Sequence, residues 1–166
     1  MKLQSYISGQ WYSSAASGPM LKNAVTGADI AEISSAGIDF ADTLNYARQV
    51  GAPALKKYTF HQRALMLKEI AKYLLERKEL FYELSKATGA LRSDSWVDIE
   101  GGIGTLFVFS SKGRREMPNS NIYLDGAQEL ISRHGTFTAQ HIYTPITGVA
   151  VQINAYNFPC WGMLEK

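Results

Sequence analysis

Asn157 and Cys160 stand three positions apart near the end of the sequence, and both side chains could take part in carbonyl chemistry. A carboxamide donates a hydrogen bond without being an acid, which suits an oxygen that becomes negative during a reaction. A thiol attacks carbonyl carbon once ionised, and a place near a helix start favours the thiolate. Cysteine is also commonly a small buried hydrophobe. The histidines, His61, His134 and His141, share no metal-ligand spacing, so no metal site is expected. Their expected roles are a helix start, a solvated loop and strand packing.

The elements around Asn157 decide how it is presented. Val149, Val151 and Ile153 alternate with smaller or polar neighbours, which predicts a strand over 148–154. Pro159 has φ fixed near the helical value and lacks an N–H, so a helix is predicted to start there and run through Trp161 and Met163. Asn157 then sits at a strand-to-helix corner, where ligands of open α/β sheets usually lie.

Upstream, turn signals and apolar periodicity divide the chain. Ser8-Gly9-Gln10 and Thr26-Gly27 predict two hairpins within the first 34 residues. Asp39 and Asp42 open a helix with a Phe40, Leu44, Ala47 stripe, which Gly51 and Pro53 are expected to end. Thr59 and Gln62 have capping-box spacing, and Leu67, Ile70, Ala71 and Leu74 follow as a core-facing stripe. A helix through Leu80, Phe81, Leu84 and Ala87 is expected to stop at Gly89. The next, from about Asp94 towards Lys112 with Ser93 or Ser95 as cap, contains Gly101, Gly102 and Gly104. No strand precedes these glycines and Phe107 stands where a dinucleotide fingerprint needs its third, so close packing of a neighbouring backbone is the expected reason for them. Residues 113–134 read as a long polar connection. Residues 136–143 alternate on two faces, an edge-capable strand.

Composition limits the function. Seventeen basic and fifteen acidic residues leave a net charge of +2, no footprint for nucleic acid. Lys112-Gly-Arg-Arg115 reads as a solvated helix end whose cations complement the macrodipole, with phosphate or CoA binding as the alternative. No stretch has the roughly 20 apolar residues of a membrane helix, and one cysteine cannot form an internal disulfide, so a reducing cytoplasm is expected. With 46% hydrophobic residues, one domain with a sizeable core is expected. Leu164-Glu165-Lys166 lacks a helix stop signal, so the chain reads as the amino-terminal part of a longer protein.

Asn157-Phe-Pro after an apolar strand, followed by Trp161 and Lys166, resembles the oxyanion and cofactor segment of the aldehyde dehydrogenase superfamily. Tyr6-Ile-Ser-Gly-Gln-Trp11 and Asn23-Ala-Val-Thr-Gly27 are similar to its amino-terminal hairpin and second turn. The runs Arg92 to Thr105 and Asn154 to Lys166 narrow the likeness to the branch in which the dehydrogenase is fused to an enoyl-CoA hydratase in aerobic phenylacetate degradation.

The resemblance implies an α/β fold with three parts. Residues 1–134 would be hairpins and helices of the cofactor-binding domain, 135–146 an oligomerisation strand, and 147–166 the first Rossmann-like strand and the start of its helix. It also implies NADP, or NAD, as cofactor, contacted by Ile153, Asn154, Ala155 and Tyr156 largely through backbone. Lys166 matches a lysine that follows this segment in the family. The usual Pro-Trp before Asn-Phe-Pro is Ala155-Tyr156 here, which changes the adenosine side more than the oxyanion side.

In the implied mechanism a thiolate downstream of Lys166 adds to a CoA-linked semialdehyde, and Asn157 donates to the new oxyanion. Hydride leaves to the nicotinamide, and a downstream glutamate activates the hydrolytic water. Cys160 is then a packing residue, and the 166 residues alone are expected to be inactive. A single-function CoA-semialdehyde dehydrogenase of benzoate-type catabolism is the alternative within the family. A non-catalytic assembly module is the alternative outside it.

Overall fold

Ser8 and Gly9, with φ of 47° and 81°, turn the chain between β1 (Ser5–Ile7) and β2 (Gln10–Tyr12) in the computed structural model, which describes residues 1–166. Positive φ at both central residues matches the right-handed twist of a two-residue hairpin. Tyr6 and Trp11 face each other across it with ring centroids 5.1 Å apart. In the second hairpin the Asn23 carboxamide accepts the N–H groups of Val25 and Thr26, and Gly27 takes φ 72°. That loop joins β3 (Met20–Lys22) to β4 (Asp29–Glu32). Both hairpins are where the turn residues predict them.

Helix α1 (Phe40–Tyr46) begins on Asp39, whose carboxylate accepts the Asp42 N–H at 3.0 Å. Gly51 and Pro53 do not end it. The backbone continues through a π turn (Ala47–Gly51) directly into α2 (Ala52–Lys56), with Pro53 immediately after the widened turn. Helix α3 (Phe60–Leu75) has the full capping box of Thr59 and Gln62. Helix α4 (Lys78–Ser85) passes through a short 3-10 turn to Gly89, which caps it at φ 83°.

Helix α5 (Arg92–Arg115) is the central element, with α3, α4 and α6 (Pro159–Glu165) packed on it. It starts earlier than expected, after Leu91, and no serine caps it. Ser95 is instead buried, with its hydroxyl 2.8 Å from that of Ser85 on α4. Ala71, Tyr82, Ile99, Ile103 and Leu106 form the core, and Leu67, Leu74 and Phe81 pack against it. That core is smaller than the composition suggests, since 12 of 166 residues are buried. Ile70, Leu80 and Leu84 remain exposed because no other element of the chain covers their faces. The basic run ends α5 as expected, with Lys112 and Arg115 reaching Glu116.

The connection after α5 contains a strand that the sequence reading missed. Residues Tyr123–Leu130 form β5, antiparallel to β6 (Thr138–Tyr143), with Tyr123 opposite Tyr143. Asp125-Gly126 reads as a turn but lies inside the strand, where Gly126 takes φ 74° at a bulge and its carbonyl accepts from the Gln140 amide. Residues 148–154 depart from expectation in the opposite way. No other segment of the chain pairs with them, so no ladder forms and the predicted strand is an unpaired run. Alternation supplies a strand's faces, but its backbone bonds need a neighbour.

Candidate functional site

Pro159 opens α6 as its sequence requires, and the helix leaves its first N–H groups without partners inside itself. Phe158, at the N-cap position, offers no side-chain acceptor. The acceptor comes from α5. Asp98, 6% exposed, takes the Trp161 N–H on Oδ1 at 2.8 Å and the Cys160 N–H on Oδ2 at 3.3 Å. One turn further along α5, Gly102 is buried against the backbone of Cys160 and Trp161, and Gly101 lies under the Trp161 ring. The expectation that these glycines admit a neighbouring backbone holds at Gly102 but not at Gly101, which meets a side-chain ring, or at Gly104, which faces nothing within 4 Å.

Asn157 precedes this anchored turn and is exposed. It lies on the wall of a cavity of about 130 Å³ between α4, α5 and the start of α6, with Phe81, Leu84, Ser95, Asp98 and Phe158 among its neighbours. The other side-chain hydrogen bonds of the segment run from Trp161 Nε1 to Glu165 and from Lys166 Nζ to the Ile153 carbonyl. None engages the Asn157 carboxamide, which leaves it free to donate to a ligand.

Cys160 lies beside Asn157 in sequence but is chemically quiet. Burial, and then the nearby Asp98 carboxylate, push its thiol up to about 11. A helix start would act the other way, but the carboxylate capping that start cancels the benefit to a thiolate. A half-buried thiol raised in this way is disfavoured as a nucleophile at neutral pH. The histidines lie on separate elements: His61 Nε2 is 2.8 Å from the Met117 carbonyl, His134 is in the β5–β6 turn and His141 is on β6.

The stretch expected to meet a cofactor runs past the same corner. Ile153, Ala155 and Tyr156 are exposed, and the Lys166 ammonium lies 3.2 Å from the Ile153 carbonyl. Asn154 is half-buried, and its Oδ1 is sequestered against Gly162 without a hydrogen-bond partner. The exposed backbone run and the lysine beside it offer polar groups and one cation to a ligand, whereas the Asn154 oxygen is a buried acceptor turned away from solvent.

Asp98 is the residue of this site that sequence reasoning overlooked. A signal existed, since Ser95, Asp98, Ile99, Gly102, Ile103 and Leu106 follow helical spacing on one face. Polar side chains on an otherwise apolar stripe need buried partners.

Residues 11–166 match the model of the aldehyde dehydrogenase family. The chain belongs to that family. Over its whole length it is 37% identical to the 3,4-dehydroadipyl-CoA semialdehyde dehydrogenase of Aromatoleum evansii, and it spans 32% of that enzyme's length. The Asn157 corner is thus part of an aldehyde dehydrogenase domain. No helix of the structure is long and apolar enough to cross a membrane.

Proposed function

We propose that the full-length protein is an NAD(P)-dependent dehydrogenase that oxidises a CoA-linked semialdehyde to the acid, and that Asn157 is an oxyanion donor. The observation that carries this is the unbonded Asn157 carboxamide on the wall of the cavity beside α6, in a chain of this family. When the aldehyde is attacked by a thiolate from outside these 166 residues, its oxygen gains a full negative charge. A fixed N–H donor near that oxygen stabilises the charge without reorganising. Ile153, Asn154, Ala155 and Tyr156, with Lys166 beside them, would hold the dinucleotide, which supplies a hydride acceptor when bound.

The CoA-linked substrate is supported by the name of the Aromatoleum evansii relative. Two readings share it. Fusion to an enoyl-CoA hydratase in phenylacetate degradation rests on the Arg92 to Thr105 and Asn154 to Lys166 motifs. A single-function enzyme is favoured by the relative's name. Hydration of an enoyl-CoA by the full-length protein separates them. We further assign the β5–β6 hairpin, whose Leu124, Leu130, Phe137 and Ile142 are exposed, to contacts between subunits of a cytoplasmic oligomer.

The test of Asn157 is Asn157→Ala in the full-length enzyme. Loss of one oxyanion donor costs about 10² to 10³ in kcat. Nucleotide affinity should change little, because the amide acts on charge that develops after binding. A lowered melting temperature with kcat near wild type would make Asn157 a structural residue and overturn the assignment.

A further inference from the structure

We propose that Asp98 is the positioning residue for Asn157, placing the main chain that carries the carboxamide by holding the first turn of α6. The proposal rests on the oxyanion reading of Asn157.

Helix α6 has seven residues, too few to be stable alone, so its start must be fixed from outside. Phe158 supplies no cap and Pro159 has no N–H, so Cys160 and Trp161 carry the first donors that need partners. Both bond the same Asp98 carboxylate, one to each oxygen. The dependence is mutual, because a carboxylate so deeply buried requires such donors. Asp98 projects from the longest helix of the chain, beside Ile99 in the core. Four residues on, Gly102 brings the Trp161 backbone into contact with the same face, so the start of α6 is pinned to α5 at two points. Only Phe158 and Pro159 separate Asn157 from the first bonded N–H, and proline fixes one φ between them. The main chain at Asn157 therefore inherits its place from Asp98, with no hydrogen bond between the two side chains.

A displacement of about 1 Å at a reacting centre costs on the order of 10²-fold in rate. In the full-length enzyme, Asp98→Ala should lower kcat by about 10- to 100-fold while nucleotide KM stays within about twofold. Asp98→Asn keeps one acceptor oxygen and should recover part of the loss; it also serves if Asp98→Ala does not fold. The deciding measurement places both substitutions in an Asn157→Ala background. If Asp98 acts through Asn157, the second substitution lowers kcat there by no more than about twofold. Losses that multiply in the double variant, or an unchanged kcat in both Asp98 single variants, overturn the proposal while leaving the oxyanion reading intact. An unchanged kcat in Asn157→Ala alone overturns both.

Discussion

Gly102 on α5 touches the backbone of Trp161 on α6: a Cβ built at Gly102 would lie 2.9 Å from Trp161 Cα and 3.0 Å from its nitrogen. The helices meet main chain to side of helix, at a distance no other residue permits without movement. Gly104, two positions on, faces nothing within 4 Å. The two glycines therefore predict opposite outcomes. Alanine gains about 1 kcal/mol of helix propensity at either site. At Gly104 nothing opposes that gain, so Gly104→Ala should stabilise by up to about 1 kcal/mol. At Gly102 overpacking costs about 1 to 3 kcal/mol and falls on backbone, so Gly102→Ala should be neutral to destabilising by up to about 2 kcal/mol. Denaturant unfolding of the two full-length variants, followed by tryptophan emission, checks the order.

Thr59 predicts a local loss. Its hydroxyl accepts the Gln62 N–H at 3.2 Å and donates to the Asn119 carboxamide at 2.7 Å, joining the start of α3 to the chain after α5. Thr59→Ala should cost about 1 to 2 kcal/mol, with hydrogen exchange accelerating first at Gln62 and Arg63. Unchanged protection there would mean that Gln62 alone closes the turn.

Local signals in the sequence were reliable where a few residues determine the outcome. Ser8-Gly9, the Thr59 and Gln62 box and Gly89 each act through their own φ or their own hydrogen bond, and each is in place. Reading failed where the result depends on distant residues. Asp125-Gly126 looks like a turn because β6, which converts it into a bulge, lies a dozen residues further on. Residues 148–154 have the alternation of a strand but no partner in the chain. The candidate site divides the same way. Asn157 at the start of a proline-led helix was legible from adjacent residues, whereas Asp98, 62 positions before Cys160, needed the fold.

Tyr82 should govern part of the alkaline behaviour. Burial, and then its hydrogen bond to Glu100, raise the phenol from 10 to about 12. The folded state thus holds the proton more tightly than the unfolded chain. Its contribution to stability is complete below pH 10 and is lost as pH rises from 10 towards 12. Glu100 shifts down, through Lys78 first and Tyr82 second, so its contribution is lost as acid protonates it. Tyr82→Phe should flatten the alkaline limb of the stability profile and leave one late-titrating phenol fewer in ultraviolet titration. An unchanged late phase would place Tyr82 in solvent.

Cys160 gives the last test, because its reactivity reports on the burial and charge around the start of α6. A thiol raised to about 11 is almost wholly protonated at neutral pH, and alkylation proceeds through the thiolate. Iodoacetamide should therefore modify Cys160 slowly at pH 7 to 8, with the rate rising about tenfold per pH unit until near 11. Burial is the larger cause of the shift and Asp98 the next, so removing the Asp98 charge should lower the pKa only in part. Asp98→Asn is expected to speed alkylation at pH 9, without bringing the pKa to an unperturbed thiol's value near 8.5. Mass spectrometry of the modified peptide isolates this cysteine from any other thiol in the full-length protein. Rapid labelling at pH 7 would mean that Cys160 is an ionised, accessible thiol, and it would then have to be considered a nucleophile rather than a packing residue beside Asn157.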